Sequence, residues 1–264
     1  MLTLDRITQR ADEDNVDADV VERDYVLTHL IVSLALHPDN TLVQFKGGTA
    51  LRLCHFADYR YSADIDLNRD PCASDEQVRQ LLEEVLAATR DRVGLSHLRL
   101  KDDAAPAIEF IGPKETKRPR VIKLDITGDE LVIDHDNRSA ILTRYEDQPD
   151  APPLRVYSLA ETTAEKLRAT MQRLQCRDLY DAWYLLEHAG VDPSEIKADF
   201  EAKTRHRDFD PDDFPPRYEK RLAEYRQRWT QELSQYMSDP PDVDRVIRET
   251  SRRLRRAGYL QSGE

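Results

Sequence analysis

Apolar residues recur at helical spacing over residues 18–36, where Val20, Val21, Tyr25, Leu27, Leu30, Ile31 and Leu34 predict a helix that Pro38-Asp39-Asn40 ends. The period then drops to two. Leu42 to Lys46 reads as a short strand, Gly47-Gly48 as a turn and Thr49 to His55 as a short helix. Asp64-Ile65-Asp66-Leu67 alternates polar and apolar residues, as a half-buried strand does. Ser74 opens a helix running to about Arg92, with Val78, Leu81, Leu82 and Val85 on its buried face. Strand-like runs follow at Leu98 to Lys101, Ala107 to Ile111 and Arg120 to Thr127, with Leu131-Val132-Ile133 as a further strand paired through Gly128-Asp129.

The pattern breaks at Gln148-Pro149-Asp150-Ala151-Pro152-Pro153 and is helical beyond it. Ser158-Leu159-Ala160-Glu161 has the form of a capping box, and Ala160, Ala164, Leu167, Met171 and Leu174 make the stripe of the helix it starts. Asp178 to His188 is a second helix, closed by Gly190 and Pro193, and two more are expected near 216–237 and 241–257. The expected fold is α/β in the α+β sense: a mixed sheet with flanking helices over 1–150 and a helical bundle over 151–264.

Bulk properties narrow the class. The chain of 264 residues is 39% hydrophobic and 34% charged, which fits a packed protein and excludes a disordered one. No apolar run reaches the length of a membrane span, and the first residues lack the basic start and apolar core of a secretory signal. Cys54, Cys72 and Cys176 are too few and too scattered for a disulfide framework or a zinc site, so a cytoplasmic protein is expected. The net charge of −12 excludes blanket affinity for nucleic acid. Charge is segregated, however. Residues 1–40 hold nine acids and three basic residues, 114–123 five basic residues and one acid, and 245–256 six arginines and one acid. A phosphate-bearing partner would meet local patches.

Two places carry candidate chemistry. Lys46-Gly47-Gly48-Thr49 precedes Asp64-Ile65-Asp66, and residues i and i+2 of a strand point to one side, so Asp64 and Asp66 aim two carboxylates into one pocket. Such a pair suits Mg2+, which takes oxygen ligands and shares them with substrate phosphates. Two glycines permit close approach of backbone to phosphate, and the amides opening the next helix attract anions. Alone, Asp-x-Asp marks a solvated strand face more often than a metal site, and Gly-Gly is more often a simple turn; the joint order is the specific signal. Asp125, between Leu124 and Ile126, is the second place, either a third metal ligand and proton acceptor or an acid at the sheet edge facing water. Lys166 and Asp178 read from residues alone as a solvated helix lysine and an N-cap, and Arg177 with Asp181 as a surface pair. The terminal arginines form the charged face of an amphipathic helix, suited equally to RNA phosphate and to solvent. The histidines lack metal-ligand spacing, and Cys54 beside His55 does not make a nucleophile pair.

Lys46-Gly47-Gly48-Thr49-Ala50-Leu51 followed by Arg60-Tyr61-Ser62-Ala63-Asp64-Ile65-Asp66-Leu67 resembles the AbiEii/AbiGii toxin family of nucleotidyltransferases, which includes the MenT toxins, in the DNA polymerase beta-like superfamily. Glu22-Arg23-Asp24-Tyr25, Glu165-Lys166-Leu167-Arg168-Ala169 and Arg177-Asp178-Leu179-Tyr180-Asp181 resemble further segments of that family, so the likeness spans about residues 20–190. The resemblance implies an Mg2+-dependent enzyme, with Mn2+ as a substitute. It would transfer a nucleoside monophosphate from a nucleoside triphosphate to an acceptor hydroxyl, by expectation the 3′ end of tRNA, and would be opposed by a cognate antitoxin. It implies that Lys46, Gly47, Gly48, Thr49 and Ser62 hold the nucleotide, that Asp64, Asp66 and Asp125 hold the metal, that Lys166 contacts the triphosphate and that Asp178 is a catalytic or orienting acid. A protein or small-molecule acceptor, or a nucleotide-binding module without catalysis, are the alternatives.

Overall fold

The computed structural model describes residues 2–101 and 106–261. The chain divides into two compact units, residues 1–129 with 135–157, and residues 130–134 with 158–264.

The first unit opens with helices α1 (Leu4–Asp14) and α2 (Ala18–Leu36), the second capped by the Asp17 carboxylate on the Asp19 amide. Helix α1 has only Ile7 and Ala11 buried, too thin a stripe to be read from sequence. Strand β1 (Val43–Lys46) leads into a short helix, α3 (Gly47–Ala50), and a wider helical turn over Leu51–His55. Strand β2 (Asp64–Arg69) is followed by helix α4 (Asp75–Val93), whose capping box joins Ser74 and Gln77. Strands β3 (His97–Lys101), β4 (Ala107–Ile111) and β5 (Arg120–Thr127) complete a mixed sheet of order β1-β2-β5-β4-β3, in which β2 and β5 are parallel and the other neighbours antiparallel. The parallel pair requires a long crossover, and α4 lies within it. One sheet face is apolar: Phe45, Ile65, Leu67, Ile122 and Leu124 pack with Leu27, Leu30 and Ile31 of α2 and Val78, Leu81 and Val85 of α4. The Pro-rich stretch at 149–153 stays in this unit, because the strand after it, β7 (Leu154–Arg155), pairs with β6 (Arg138–Ser139), and Tyr157 donates to the Phe45 carbonyl at 3.0 Å.

The second unit is helical: α5 (Leu159–Gln172), α6 (Cys176–Glu187), α7 (Lys197–His206), α8 (Phe214–Leu233) and α9 (Val243–Arg256). Its aromatic core sets Phe200 against Phe214 and Tyr259, with Phe214 stacked on Tyr218. Residues 130–134 are a strap of this unit and not the strand expected from Leu131-Val132-Ile133. The reason is a buried charge. The Glu161 carboxylate accepts from the amides of Ile133 and Asp134 at 2.8 and 3.2 Å and pairs with Lys203 at 2.8 Å, while Lys203 donates to the Leu131 carbonyl. The strap's backbone is thus satisfied by side chains rather than by a sheet neighbour. No helix of the described residues is long and apolar enough to cross a membrane.

Candidate active site

Strand register collects the polar residues on the second sheet face. Lys46 lies opposite Asp66, and Asp66 opposite Asp125, so one residue from each of β1, β2 and β5 forms a row; Asp64 opposite Lys123 lies beside it. Directly paired residues point to the same side, which places Lys46, Asp64, Asp66 and Asp125 on the face away from the apolar core. Asp64 and Asp66 are half-buried and Asp125 is exposed, while Lys46 is buried with its ammonium 5.5 Å from the centre of the Tyr157 ring.

The Gly47-Gly48 turn lies against the same strand face. Gly47 has φ +79°, and a Cβ on it would lie 2.1 Å from Asp66 Oδ2. The Asp66 carboxylate therefore rests where any side chain at 47 would be. A Cβ on Gly48 would lie 2.6 Å from an Arg60 guanidinium nitrogen and 3.4 Å from Ser62 Oγ. Gly47→Ala is expected to cost about 1–2 kcal/mol from backbone strain and to displace Asp66. The expected result is activity loss larger than the drop in thermal stability, read by comparing initial rates at 20 °C with Tm; equal activity would contradict this placement of the carboxylate.

Thr49 and Ser62 tie the turn to β2. The Thr49 hydroxyl donates to the Asp64 carbonyl, and its oxygen lies 2.8 Å from Ser62 Oγ. Thr49 is buried, so its observed role is to hold the turn. The segment before β2 is anchored on Asp24 by Arg52, Tyr145 and Arg144, three residues the sequence did not single out. The Arg52 guanidinium grips the buried Asp24 through Nε at 2.5 Å and Nη2 at 3.2 Å and donates to the Tyr59 carbonyl; Tyr145 donates to Asp24 at 2.8 Å. Arg144 donates to the carbonyls of Phe56 and Ala57 at 2.8 and 3.0 Å. Asp24 belongs to the Glu22-Arg23-Asp24-Tyr25 segment, whose local work is to fix this loop. Burial pushes the Cys54 thiol up to about 12, which leaves it inert beside His55.

The basic segment at 114–123 is less available than its composition implies. Lys114 and Arg120 both pair with Asp19 of α2, and Arg120 also pairs with Glu22.

In the helical unit Lys166 and Asp178 are in direct contact, and both are more buried than expected. The Lys166 ammonium lies 2.9 Å from Asp178 Oδ1 and 2.8 Å from Asp181 Oδ2, and the Arg173 guanidinium reaches Asp178 at 2.8 and 3.2 Å. Asp178 is the third residue of α6, with Gln175 at the cap, so it is not an N-cap. Asp181 is fully buried and pairs with Lys166, so it is not a surface residue. Burial alone would raise the Asp178 carboxyl, but Lys166 and Arg173 outweigh it and hold it down at about 2. A carboxyl depressed in the fold contributes stability above its unfolded pKa of about 3.9 and loses it as pH falls towards 2, here about 2 kcal/mol. Asp178→Asn should therefore lower Tm at pH 7, and its gap to the parent should close between pH 4 and pH 2; a gap independent of pH would contradict the ion cluster.

The residues fit a divalent cation. Two half-buried carboxylates supply oxygen donors beside a glycine turn, and one of them, Asp66, fills the space over Gly47. Among the described residues no group of three or more His, Cys, Asp or Glu side chains is gathered to hold a metal. That arrangement suits Mg2+, which is bound through one or two carboxylates with water and substrate phosphates completing its shell.

Comparison with known proteins agrees with this architecture. Nine solved chains match the structure. The MenT4 nucleotidyltransferase toxin of Mycobacterium tuberculosis H37Rv is similar over 100% of this chain and 91% of its own, with a TM-score of 0.57 at 17% identity. An antigenic nucleotidyltransferase-like protein from Paracoccidioides brasiliensis matches 60% of this chain and 75% of its own, with a TM-score of 0.37 at 15% identity. The likeness of fold rests on the first. A search of curated proteins returns no match. The model of the family described as "Nucleotidyl transferase AbiEii toxin, Type IV TA system" matches residues 29–252. The glycine turn, the carboxylates on β2 and the two helical motifs all lie within that span, and the chain belongs to the AbiEii nucleotidyltransferase toxin family of type IV toxin–antitoxin systems.

Proposed function

We propose that the protein transfers a nucleoside monophosphate from a nucleoside triphosphate to the 3′-terminal hydroxyl of a tRNA, releasing pyrophosphate, in the cytoplasm and under the control of a cognate antitoxin. The observation that carries this reading is the Asp66 carboxylate seated in the space a side chain at Gly47 would fill. It supports reading the turn and the acid as parts of one site.

In this reading Asp64 and Asp66 would hold Mg2+, or Mn2+ in its place, and Asp125, the third carboxylate of the expected set, lies on the same strand face without being gathered to them. Bound there, the cation neutralises phosphate charge and favours ionisation of the acceptor hydroxyl. The acceptor oxygen forms a bond to the α-phosphorus while the bond from that phosphorus to the bridging oxygen of pyrophosphate breaks. Asp125, exposed on the same row as Asp66, takes the hydroxyl proton. Lys46, Gly47, Gly48 and Ser62 position the phosphates, and Thr49 keeps Ser62 and the turn in place. Lys166 contacts the triphosphate, and Asp178, held on it at 2.9 Å, orients it. No side chain enters a covalent intermediate, so the gain comes from positioning and electrostatics.

The test incubates the protein with Mg2+, each α-labelled triphosphate in turn, total tRNA and a cell lysate. Label in tRNA, removable with the terminal nucleotide, supports the reading. Label in protein overturns the acceptor. No label anywhere, with Asp66→Ala as growth-inhibitory as the parent, overturns the enzyme.

A further inference from the structure

Helix α9 carries more positive charge than the acids of its own unit pair with. Val246, Ile247, Thr250, Ser251 and Leu254 are its buried side. At about 100° per residue, Arg245, Arg248, Arg252, Arg255 and Arg256 fall within an arc of about 100° on the opposite side, and all five are exposed. They run along about 16 Å of helix. Arg245 is taken by Glu249 at 3.1 Å and Arg252 by Glu187 at 3.1 Å. Arg248, Arg255 and Arg256 have no acid within ion-pair distance among the described residues.

We infer that this arginine face of α9 is a docking surface for the phosphate backbone of RNA. The inference rests on the proposed RNA acceptor and says where on the helical unit that acceptor is gripped.

Three arguments carry it. First, the array is unfavourable by itself. Arg248 and Arg252, and Arg252 and Arg256, are like charges four apart, each pair costing a few tenths of a kcal/mol. The favourable interaction of cations with a helix C-terminus accounts for Arg255 and Arg256 in the last turn but not for Arg248 or Arg252. A polyanion relieves the repulsion. Second, the chain has a net charge of −12, so RNA is repelled by the molecule as a whole and must be met by a concentrated patch. The rival patch, at 114–123, has Lys114 and Arg120 already committed to Asp19 and Glu22. Third, all six basic residues of 245–256 are arginine and none is lysine. The guanidinium fork binds phosphate oxygens in pairs and keeps its charge throughout the accessible pH range.

The test uses the full chain and a fluorescein-labelled tRNA transcript, with anisotropy titrations from 50 to 300 mM KCl. Arg248→Gln/Arg255→Gln/Arg256→Gln should weaken binding at least about tenfold at 100 mM salt. It should also flatten the plot of log K against log salt by about two units, since each phosphate contact contributes about 0.7–0.9 to that slope. The corresponding triple lysine variant should keep the slope. A charge-matched control, Arg79→Gln/Arg90→Gln/Arg99→Gln in the first unit, should bind like the parent. Far-UV circular dichroism and Tm confirm that each variant folds. Equal affinity and slope for parent and glutamine triple overturn this inference and leave the proposed function standing. An equal loss in the control assigns the effect to net charge and also overturns it. Loss of poly-glutamate binding with RNA binding intact would make α9 a surface for an acidic protein, again against the inference. Absence of tRNA binding by the parent overturns both readings together.

Discussion

Asp66→Asn is expected to reduce nucleotidyl transfer about 10³-fold or more, equivalent to about 4 kcal/mol in the transition state, with little change in Tm. Asparagine has the shape of aspartate, so the contact with Gly47, where a Cβ would lie 2.1 Å from the carboxylate, is preserved. What is lost is the charge. A phosphoryl transfer site works by meeting negative charge on the nucleotide with fixed cations, and a neutral amide holds a divalent cation poorly. Asp64→Asn should be similarly severe, because Asp64 is half-buried on the same strand face. Asp125→Asn should cost less, because Asp125 is exposed and water can replace it as proton acceptor. Steady-state label transfer at saturating triphosphate separates the three. Asp66→Asn retaining more than a tenth of the parental rate would remove the carboxylate pair from the reaction.

The ordering of severity comes from strand geometry, and that geometry was readable in advance. Alternation in Asp64-Ile65-Asp66-Leu67 is a local property, and it fixed which residues share a face. Register is not local. That Lys46, Asp66 and Asp125 form one row depends on β1 and β5 flanking β2, which no window of sequence contains. The same limit explains the strap. Leu131-Val132-Ile133 has the composition of a strand, but its amides are claimed by Glu161, 28 residues beyond Ile133, in an ion pair with Lys203. Helix α1 was missed for a different reason: Leu4, Ile7 and Ala11 do recur at helical spacing, but the stripe is short, only Ile7 and Ala11 are buried, and the helix is also held by contacts elsewhere in the first unit. One is the Tyr61 hydroxyl donating to Asp14. Asp181 was read as a surface residue because spacing offered it Arg177 on the same helix, while burial also gives it Lys166 on another. A charged residue in a run such as Leu179-Tyr180-Asp181-Ala182-Trp183 is the signal that could have found it, since an acid among buried neighbours needs a cation.

Arg52→Met is expected to destabilise the first unit by about 3–5 kcal/mol, a fall in Tm on the order of 10 °C. Asp24 is 1% exposed and Arg52 is 3% exposed, so the pair is held away from water and gains from close geometry what it loses in hydration. Removing the guanidinium leaves Asp24 with the Tyr145 hydroxyl at 2.8 Å and Arg144 as the nearest charge, and the Tyr59 carbonyl loses its donor. The sign with pH is diagnostic. In the parent, burial pushes the Asp24 carboxyl up but Arg52 more than offsets it, leaving it below the ordinary range. Its contribution is therefore complete above about pH 4 and is lost only as pH falls through that lowered value. In Arg52→Met the burial effect is largely unopposed and the carboxyl moves upward. A raised pKa means the folded variant takes up a proton before the unfolded chain does, so the variant regains stability as pH falls from 7 to 5. The gap in Tm between parent and variant should narrow over that interval, and a constant gap would show that Asp24 stays ionised without its partner. Asp24→Asn/Arg52→Met should be less destabilised at pH 7 than the sum of the two single changes, since it buries no orphan charge. The loop from Phe56 to Ala63 hangs on this pair and delivers Ser62 and Asp64 to the pocket. Activity of Arg52→Met should thus fall at temperatures well below its Tm, and full activity at 20 °C would mean that the strand, not the loop, sets the position of the carboxylates.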